Sequence, residues 1–283
     1  MLRVIALAGF SLVMLGVSSC APANPTPRPV APKPPSATPT SLPTEIIDVK
    51  GVPMRLVPAG EFIMGSDTDS DTRNQAHTLY LDAFYVDKYE VTNIRYAACV
   101  STGACETPHF TKSDFRDSYY GNPEFDNYPV IYVDWAMAQT YCEWRGARLP
   151  TEAEWEKAAR GTDARTYPWG DRVSCEQANH DGEPDLVAYC VGETSEVGRY
   201  EGGQSPYGLY DMAGNVFEWT SSLNQSYPYD AGDGRENSTR DGDRVIRGGS
   251  WNEDANDLQV FYRSWLGPAY SESEIGIRCA RSP

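Results

Sequence analysis

The most reactive side chains in this sequence are seven cysteines, and one of them stands apart from the rest. Cys20 lies near the N-terminus behind Val17-Ser18-Ser19, a setting in which a thiol can be acylated. Two or more acyl chains hold a protein on a bilayer where one does not. The other six, Cys99, Cys105, Cys142, Cys175, Cys190 and Cys279, form an even set. In an exported chain an even set points to disulfides. Proximity favours Cys99 with Cys105 and Cys175 with Cys190, which leaves Cys142 to Cys279. Zinc is the competing chemistry for cysteine, but there is no Cys-x-x-Cys pair and His77, His109 and His180 are scattered, so no zinc site is expected.

Residues 1–19 have the form of a signal peptide. Arg3 gives a basic start, and Val4 to Val17 is an apolar run too short for a comfortable membrane span. The residues before Cys20 resemble the lipobox of bacterial lipoproteins, in which the cysteine becomes a lipidated N-terminus. Ala21 to Ile46 carries nine prolines and almost no large apolar side chain. Such a segment cannot bury a core and reads as an extended, semi-rigid tether. Residues 20–46 are thus the anchor and linker, and residues 47–283 the globular domain. The expected location is extracytoplasmic, at the cell surface or in a periplasm, with the membrane reached through the lipid alone. A formal net charge of -16 has the wrong sign for phosphate backbones, so nucleic acid is not an expected partner.

The elements that must position any site are short. Met54 to Gly60 and Glu61 to Gly65 read as two strands around a glycine turn, and Leu79 to Val86 as a third. Thr92 starts a helix through Cys99, and Asp134 caps another that carries Cys142 on its inward face and ends at Gly146. Thr151 and Glu154 form a capping box for a helix running to Arg160, closed by Gly161. Beyond it the periodicity fades into Gly, Asn, Asp, Tyr and Trp, with short strands at Val245 to Arg247 and Ile275 to Cys279. The class is α+β, irregular and rich in loops.

Several runs together resemble the formylglycine-generating-enzyme, or sulfatase-modifying-factor, domain family. They are Val57-Pro58-Ala59-Gly60-Glu61-Phe62, the stretch from Cys142 through Leu149-Pro150-Thr151-Glu152 to Glu156, and Pro168-Trp169-Gly170. Tyr207 through Gly214-Asn215-Val216-Phe217-Glu218-Trp219, Arg247-Gly248-Gly249-Ser250 and Gly276-Ile277-Arg278-Cys279 complete the set. The order of so many motifs over roughly residues 50 to 281 makes the likeness specific. It implies a C-type-lectin-like fold and a structural bridge between Cys142 and Cys279. Active members bind copper(I) through two cysteines a few residues after Gly-Gly-Ser and use oxygen to convert a substrate cysteine to formylglycine; soft copper needs soft sulfur. Here Glu253 and Leu258 stand at those positions, and no cysteine occurs between Cys190 and Cys279, so copper is not expected. Nothing supplies the histidine triad of the related sulfoxide synthases.

The resemblance also implies a structural calcium ion on the Asp211 and Glu218 side chains and the Gly214 and Val216 carbonyls, a hard-oxygen set that suits calcium. The competing reading makes Asp211 a turn cap and Glu218 a solvated strand residue. A second family calcium position would involve Asn179 and the backbone of His180, but its carboxylate is displaced or lost near Tyr189, so no ion is expected there. In a lectin-like fold the segment after Ser250 lines the functional face: Glu253, Asp254, Asn256, Asp257, Ser264, Trp265 and Tyr270 are expected to be exposed, and Trp251, Tyr262 and Arg263 to belong mostly to the core. The functional expectation is a catalytically silent display module for a protein, peptide or glycan. The alternatives are a protein-modifying oxidase using other residues and an envelope scaffold. A weaker likeness, to lectin-like variable regions diversified by retroelements, rests on the Gly-Gly-Ser-Trp start and Ile-Gly-x-Arg end of the same segment.

Overall fold

The computed structural model describes residues 42–67, 74–182 and 189–283. The signal peptide, Cys20 and most of the tether lie outside these residues. Thirteen elements follow in order: β1 (Glu45–Ile47), β2 (Pro53–Val57), β3 (Gly60–Met64), β4 (His77–Leu81), β5 (Phe84–Asp87), α1 (Asn93–Ser101), α2 (Trp135–Trp144), α3 (Glu152–Arg160), β6 (Phe217–Leu223), β7 (Arg244–Arg247), β8 (Ser264–Leu266), β9 (Ile275–Gly276) and β10 (Ala280–Arg281). The strands form sheets ordered β1-β2-β5-β10, β3-β4 and β8-β7-β6-β9. Among the described residues no helix is long and apolar enough to cross a membrane.

The first strand starts two residues ahead of the expected domain boundary at Ile47. Glu45 pairs with Arg55, and the Tyr85 hydroxyl donates to the Pro43 carbonyl at 2.9 Å. The end of the tether is therefore part of the sheet. The single strand expected over Leu79 to Val86 is two strands, β4 and β5, which join different sheets and are separated by Asp82 and Ala83. Four strands lie outside those the sequence predicts: β1, β6, β8 and β10. In β6 the run from Phe217 to Thr220 is buried on both faces, so the alternation that marks a half-buried strand is absent.

The helices begin where their caps dictate. Asp134 accepts from the Met137 amide at 2.9 Å, and both halves of the Thr151–Glu154 capping box are made. All nine residues of α3 are buried, including Glu152, Glu156, Lys157 and Arg160. Buried charge is tolerated only when paired. Glu156 meets Arg160 and Arg247, Glu152 meets Arg263, and Lys157 donates to the carbonyls of Pro58 and Gly60. A polar helix at the centre is thus bound to three distant parts of the chain. The largest apolar cluster lies between α1, α2 and β6, around Tyr96, Tyr141, Trp219 and Ile246. The cysteines pair as Cys99–Cys105, Cys142–Cys279 and Cys175–Cys190.

Candidate functional site

The turn after β7 presents the segment from Ser250 onwards. Gly249 has φ +71°, and a side chain there would meet the Asp257 carbonyl at 3.0 Å, so glycine lets the loop fold closely onto itself. Trp251 is buried, its ring 6.1 Å from that of Phe115 and 6.0 Å from that of Tyr189. Phe115 is 75% exposed and Tyr189 47%, so the buried indole carries two aromatic rings that face solvent. Large exposed apolar rings in one group are uncommon on a monomer surface and mark contact sites.

Carboxylates adjoin these rings. Glu253 is half-buried, and burial, then Asp257, then Glu274 and Asp254 push its carboxyl up to about 8. Burial also raises the Glu274 carboxyl, which accepts from Asn252 at 3.0 Å and from the Ser250 hydroxyl at 3.3 Å. The Tyr270 hydroxyl donates to Glu272 at 2.6 Å, and the Asn256 amide to Asp254 at 2.6 Å. Among the described residues, no ion pair joins Glu253, Asp254, Asp257, Glu272 or Glu274 to an arginine or lysine. The face has negative charge in excess.

Of the residues expected on this face, Asp254, Asn256 and Tyr270 are exposed and Glu253 and Asp257 half-buried. Ser264 and Trp265 are half-buried on β8, an edge strand, a different element from the acidic loop. Trp251 and Arg263 are core residues and Tyr262 is partly exposed. Phe115 was not expected here. It comes from a loop distant in sequence, and nothing local marks it.

The positions that carry copper in active relatives do not fit copper(I). Glu253 offers hard oxygen, Leu258 is fully buried beside Tyr167 and Ala213, and all six described cysteines are bridged.

A second site is internal. Asp211, Glu218 and a residue that sequence reasoning missed, Glu90, are all buried. Glu218, a solvated strand residue in the competing reading, is instead fully enclosed: Arg278 grips it through two nitrogens and the Trp155 indole donates to it at 2.6 Å. Asp211, at φ 57°, accepts from the Gly198 amide at 2.6 Å. Glu90 accepts from the Asn215 side chain at 2.6 Å and the Val216 amide at 3.2 Å. Gly214 has φ +78°, and any side chain there would strike the Asn179 carbonyl at 2.3 Å. Burial, then Asp211 and Glu218, raises the Glu90 carboxyl well above its ordinary range. Burial lifts Asp211 to about 6. Among the described residues Arg278 is the one cation acting on these three carboxylates, so the cluster needs protons or a further cation. Oxygen donors of this kind suit calcium in their chemistry, although both Glu218 oxygens are already bound by Arg278 and Trp155. Glu90 and Gly198 also line a cavity of about 500 Å³.

This geometry has a thermodynamic signature. Asp211 holds its proton more tightly folded than unfolded, so without a cation stability falls as pH rises through the window from about 4 to about 6. Calcium would replace those protons. The rise in Tm on adding millimolar calcium should therefore be several degrees larger at pH 8 than at pH 4.5, as read by thermal melts with and without chelator. An equal rise at both values would remove the cluster as the cation site.

Mixed short strands, three helices and long loops around an acidic loop face define a C-type-lectin-like domain of the formylglycine-generating type. The sulfatase-modifying factor enzyme 1-like domain matches residues 47–283, and the chain belongs to that family. It is 34% identical over 249 residues to the serine/threonine-protein kinase pkn1 of Chlamydia pneumoniae, covering 81% of this chain and 38% of that protein. It therefore spans about two fifths of the length of that relative. It is 30% identical to the formylglycine-generating enzyme of Mus musculus, covering 85% of this chain and 77% of the enzyme. The solved structure of Treponema denticola variable protein 1 shares the fold, with a TM-score of 0.67 and 24% identity over 86% of this chain and all of that one.

Proposed function

We propose that this chain is a lipoprotein, anchored through Cys20 outside the cytoplasm, whose formylglycine-generating-type domain has no oxidase activity and binds a cationic protein segment. The observation that carries this reading is the face formed by Phe115, Trp251 and Tyr189 together with Glu253, Asp257 and Glu274, carboxylates that have no arginine or lysine partner among the described residues. Aromatic faces and carboxylates together favour lysine or arginine side chains, through cation–π attraction and charge-assisted hydrogen bonds. A pocket built around a thiolate pair has become contact surface. The calcium ion proposed at Asp211, Gly214, Val216, Glu218 and Glu90 serves as a structural brace beneath this face.

The mature chain, tested by calorimetry against lysine- and arginine-rich peptides, neutral peptides and neutral glycans, should bind only the cationic set. Affinity should fall with salt and rise several-fold from pH 6 to pH 9 as Glu253 loses its proton. Glu253→Gln combined with Asp257→Asn should weaken binding at least tenfold. Binding confined to glycans, or insensitive to both substitutions, rejects the reading. Incubation with copper(I), oxygen and a sulfatase-motif peptide should give no formylglycine by mass spectrometry.

A further inference from the structure

The three histidines are scattered in the sequence, yet folding brings one of them to a cysteine pair. The sulfurs of Cys175 and Cys190 and a ring nitrogen of His180 all lie within 4.8 Å of one another. This proximity does not depend on the disulfide alone. The Cys190 amide donates to the His180 carbonyl at 3.0 Å, and on the flanks the Asn215 amide donates to the Asn179 carbonyl at 2.9 Å and the Asp181 amide to the Glu253 carbonyl at 3.0 Å. Beside Cys175 the Gln177 and Ala178 amides donate to the Ser174 carbonyl at 3.0 and 3.3 Å, so backbone bonds order the chain around each of the three residues independently of the sulfur–sulfur bond.

Access separates this bridge from the others. Cys99, Cys105, Cys142 and Cys279 are all buried, whereas Cys175 and Cys190 are partly exposed. A reducing thiolate can reach a sulfur only here without local unfolding. We infer that Cys175, His180 and Cys190 form a zinc site that exists only when their disulfide is reduced.

The chemistry balances in two steps. A dithiol reductant attacks one sulfur of the bridge, forming a mixed disulfide and releasing the other cysteine as a thiolate. The second thiol of the reductant then displaces the first cysteine, so the protein gains two electrons and two protons and the reductant leaves as its own disulfide. Zinc binds both cysteines as thiolates and His180 as neutral imidazole, releasing two protons to solvent. Two thiolates and one imidazole suit a borderline divalent cation and leave a fourth position for water. The sulfurs must part from a covalent bond of about 2.0 Å to about 3.7 Å, the edge of a tetrahedron with zinc–sulfur distances near 2.3 Å. Side-chain rotation supplies that change. The inference is independent of the ligand proposed for the acidic face.

The test uses the mature chain, intact and after treatment with a phosphine, which reduces disulfides without the strong zinc chelation of a dithiol. Alkylation and peptide mass spectrometry identify which bridge has opened. Zinc affinity is read by competition with a chromogenic chelator, and cobalt(II) substitution reads thiolate ligation by near-ultraviolet charge-transfer absorption. The expected result is one zinc per reduced chain, bound at least a hundredfold more tightly than by the oxidised chain. His180→Ala should weaken the site at least tenfold while leaving the number of free thiols unchanged. Cys175→Ser with Cys190→Ser should abolish the site, and the two remaining bridges keep the fold for comparison by circular dichroism. Equal zinc affinity in the oxidised and reduced chains overturns the proposal, as does His180→Ala binding as tightly as the parent.

Discussion

Replacing Arg278 with methionine should destabilise the domain by about 3–5 kcal/mol, the cost of leaving a buried carboxylate without its partner. Arg278 is fully buried and binds Glu218 at 2.7–2.9 Å, while also donating to the carbonyls of Asp87 and Tyr210. It is also the cation that offsets Glu90 and Asp211, so its loss exposes three enclosed carboxylates to one another. Adding Glu218→Gln should recover more than half of the deficit, since the amide oxygen still accepts from Trp155 and one charge is gone. Urea denaturation of the two single variants and the double variant gives the coupling directly. A loss below about 1 kcal/mol for the first variant, judged against the usual range, would mean that the carboxylates are not under electrostatic tension.

Removing the bridge between Cys142 and Cys279 with paired serines should be comparably damaging, at about 5 kcal/mol in the chain-entropy model. The bridge spans 137 residues, whereas Cys99–Cys105 spans 6. In the same model that difference of loop length makes the long bridge worth about 3 kcal/mol more. Both of its cysteines are buried, and they tie α2 to the segment that leads into β10. Differential scanning calorimetry of the two serine pairs should place the long-bridge variant well below the short-bridge one. Equal melting temperatures would show that the long bridge constrains little that packing does not already constrain.

Local chemistry made part of this architecture legible. The starts of α2 and α3 follow from Asp134 and Thr151, whose side chains take up backbone amides within three residues, so the signal and the structure lie in the same few positions. The family motifs made the fold legible as well. What those motifs do was less visible, because their charged residues act through partners far along the chain. Glu156 finds Arg247 across 91 positions and Glu152 finds Arg263 across 111. The helix bearing both glutamates reads as polar, yet it is buried throughout. Glu218 and Arg278, from two separate motifs, are one ion pair. Much of what is recognisable in the sequence is therefore scaffold.

The acidic face is legible to a different degree. Glu253, Asp254 and Asp257 lie within one short loop and could be singled out, but Glu272 and Glu274 come from a later segment and Phe115 and Tyr189 from other loops. Glu90 stands between Tyr89 and Val91 with no pattern to mark it, and only its proximity to Asp211 and Glu218 reveals its importance. His180 belongs with them: its neighbours Cys175 and Cys190 are close in sequence, but only the folded turn sets the ring beside their sulfurs.

The sheet that begins with β1 is finished by β10, whose residues Ala280 and Arg281 pair with Val86 and Tyr85. During biosynthesis, β5 accordingly lacks one of its two neighbours until β10 has emerged from the ribosome. Cys142 likewise waits for its sulfur partner until Cys279, 137 residues later, has been made. Contacts of such separation are slow to form, because loop closure must precede any reward. Locking of the domain is thereby deferred until β10 and Cys279 are in place, and a chain that lacks them forms neither the fourth strand of this sheet nor the long bridge.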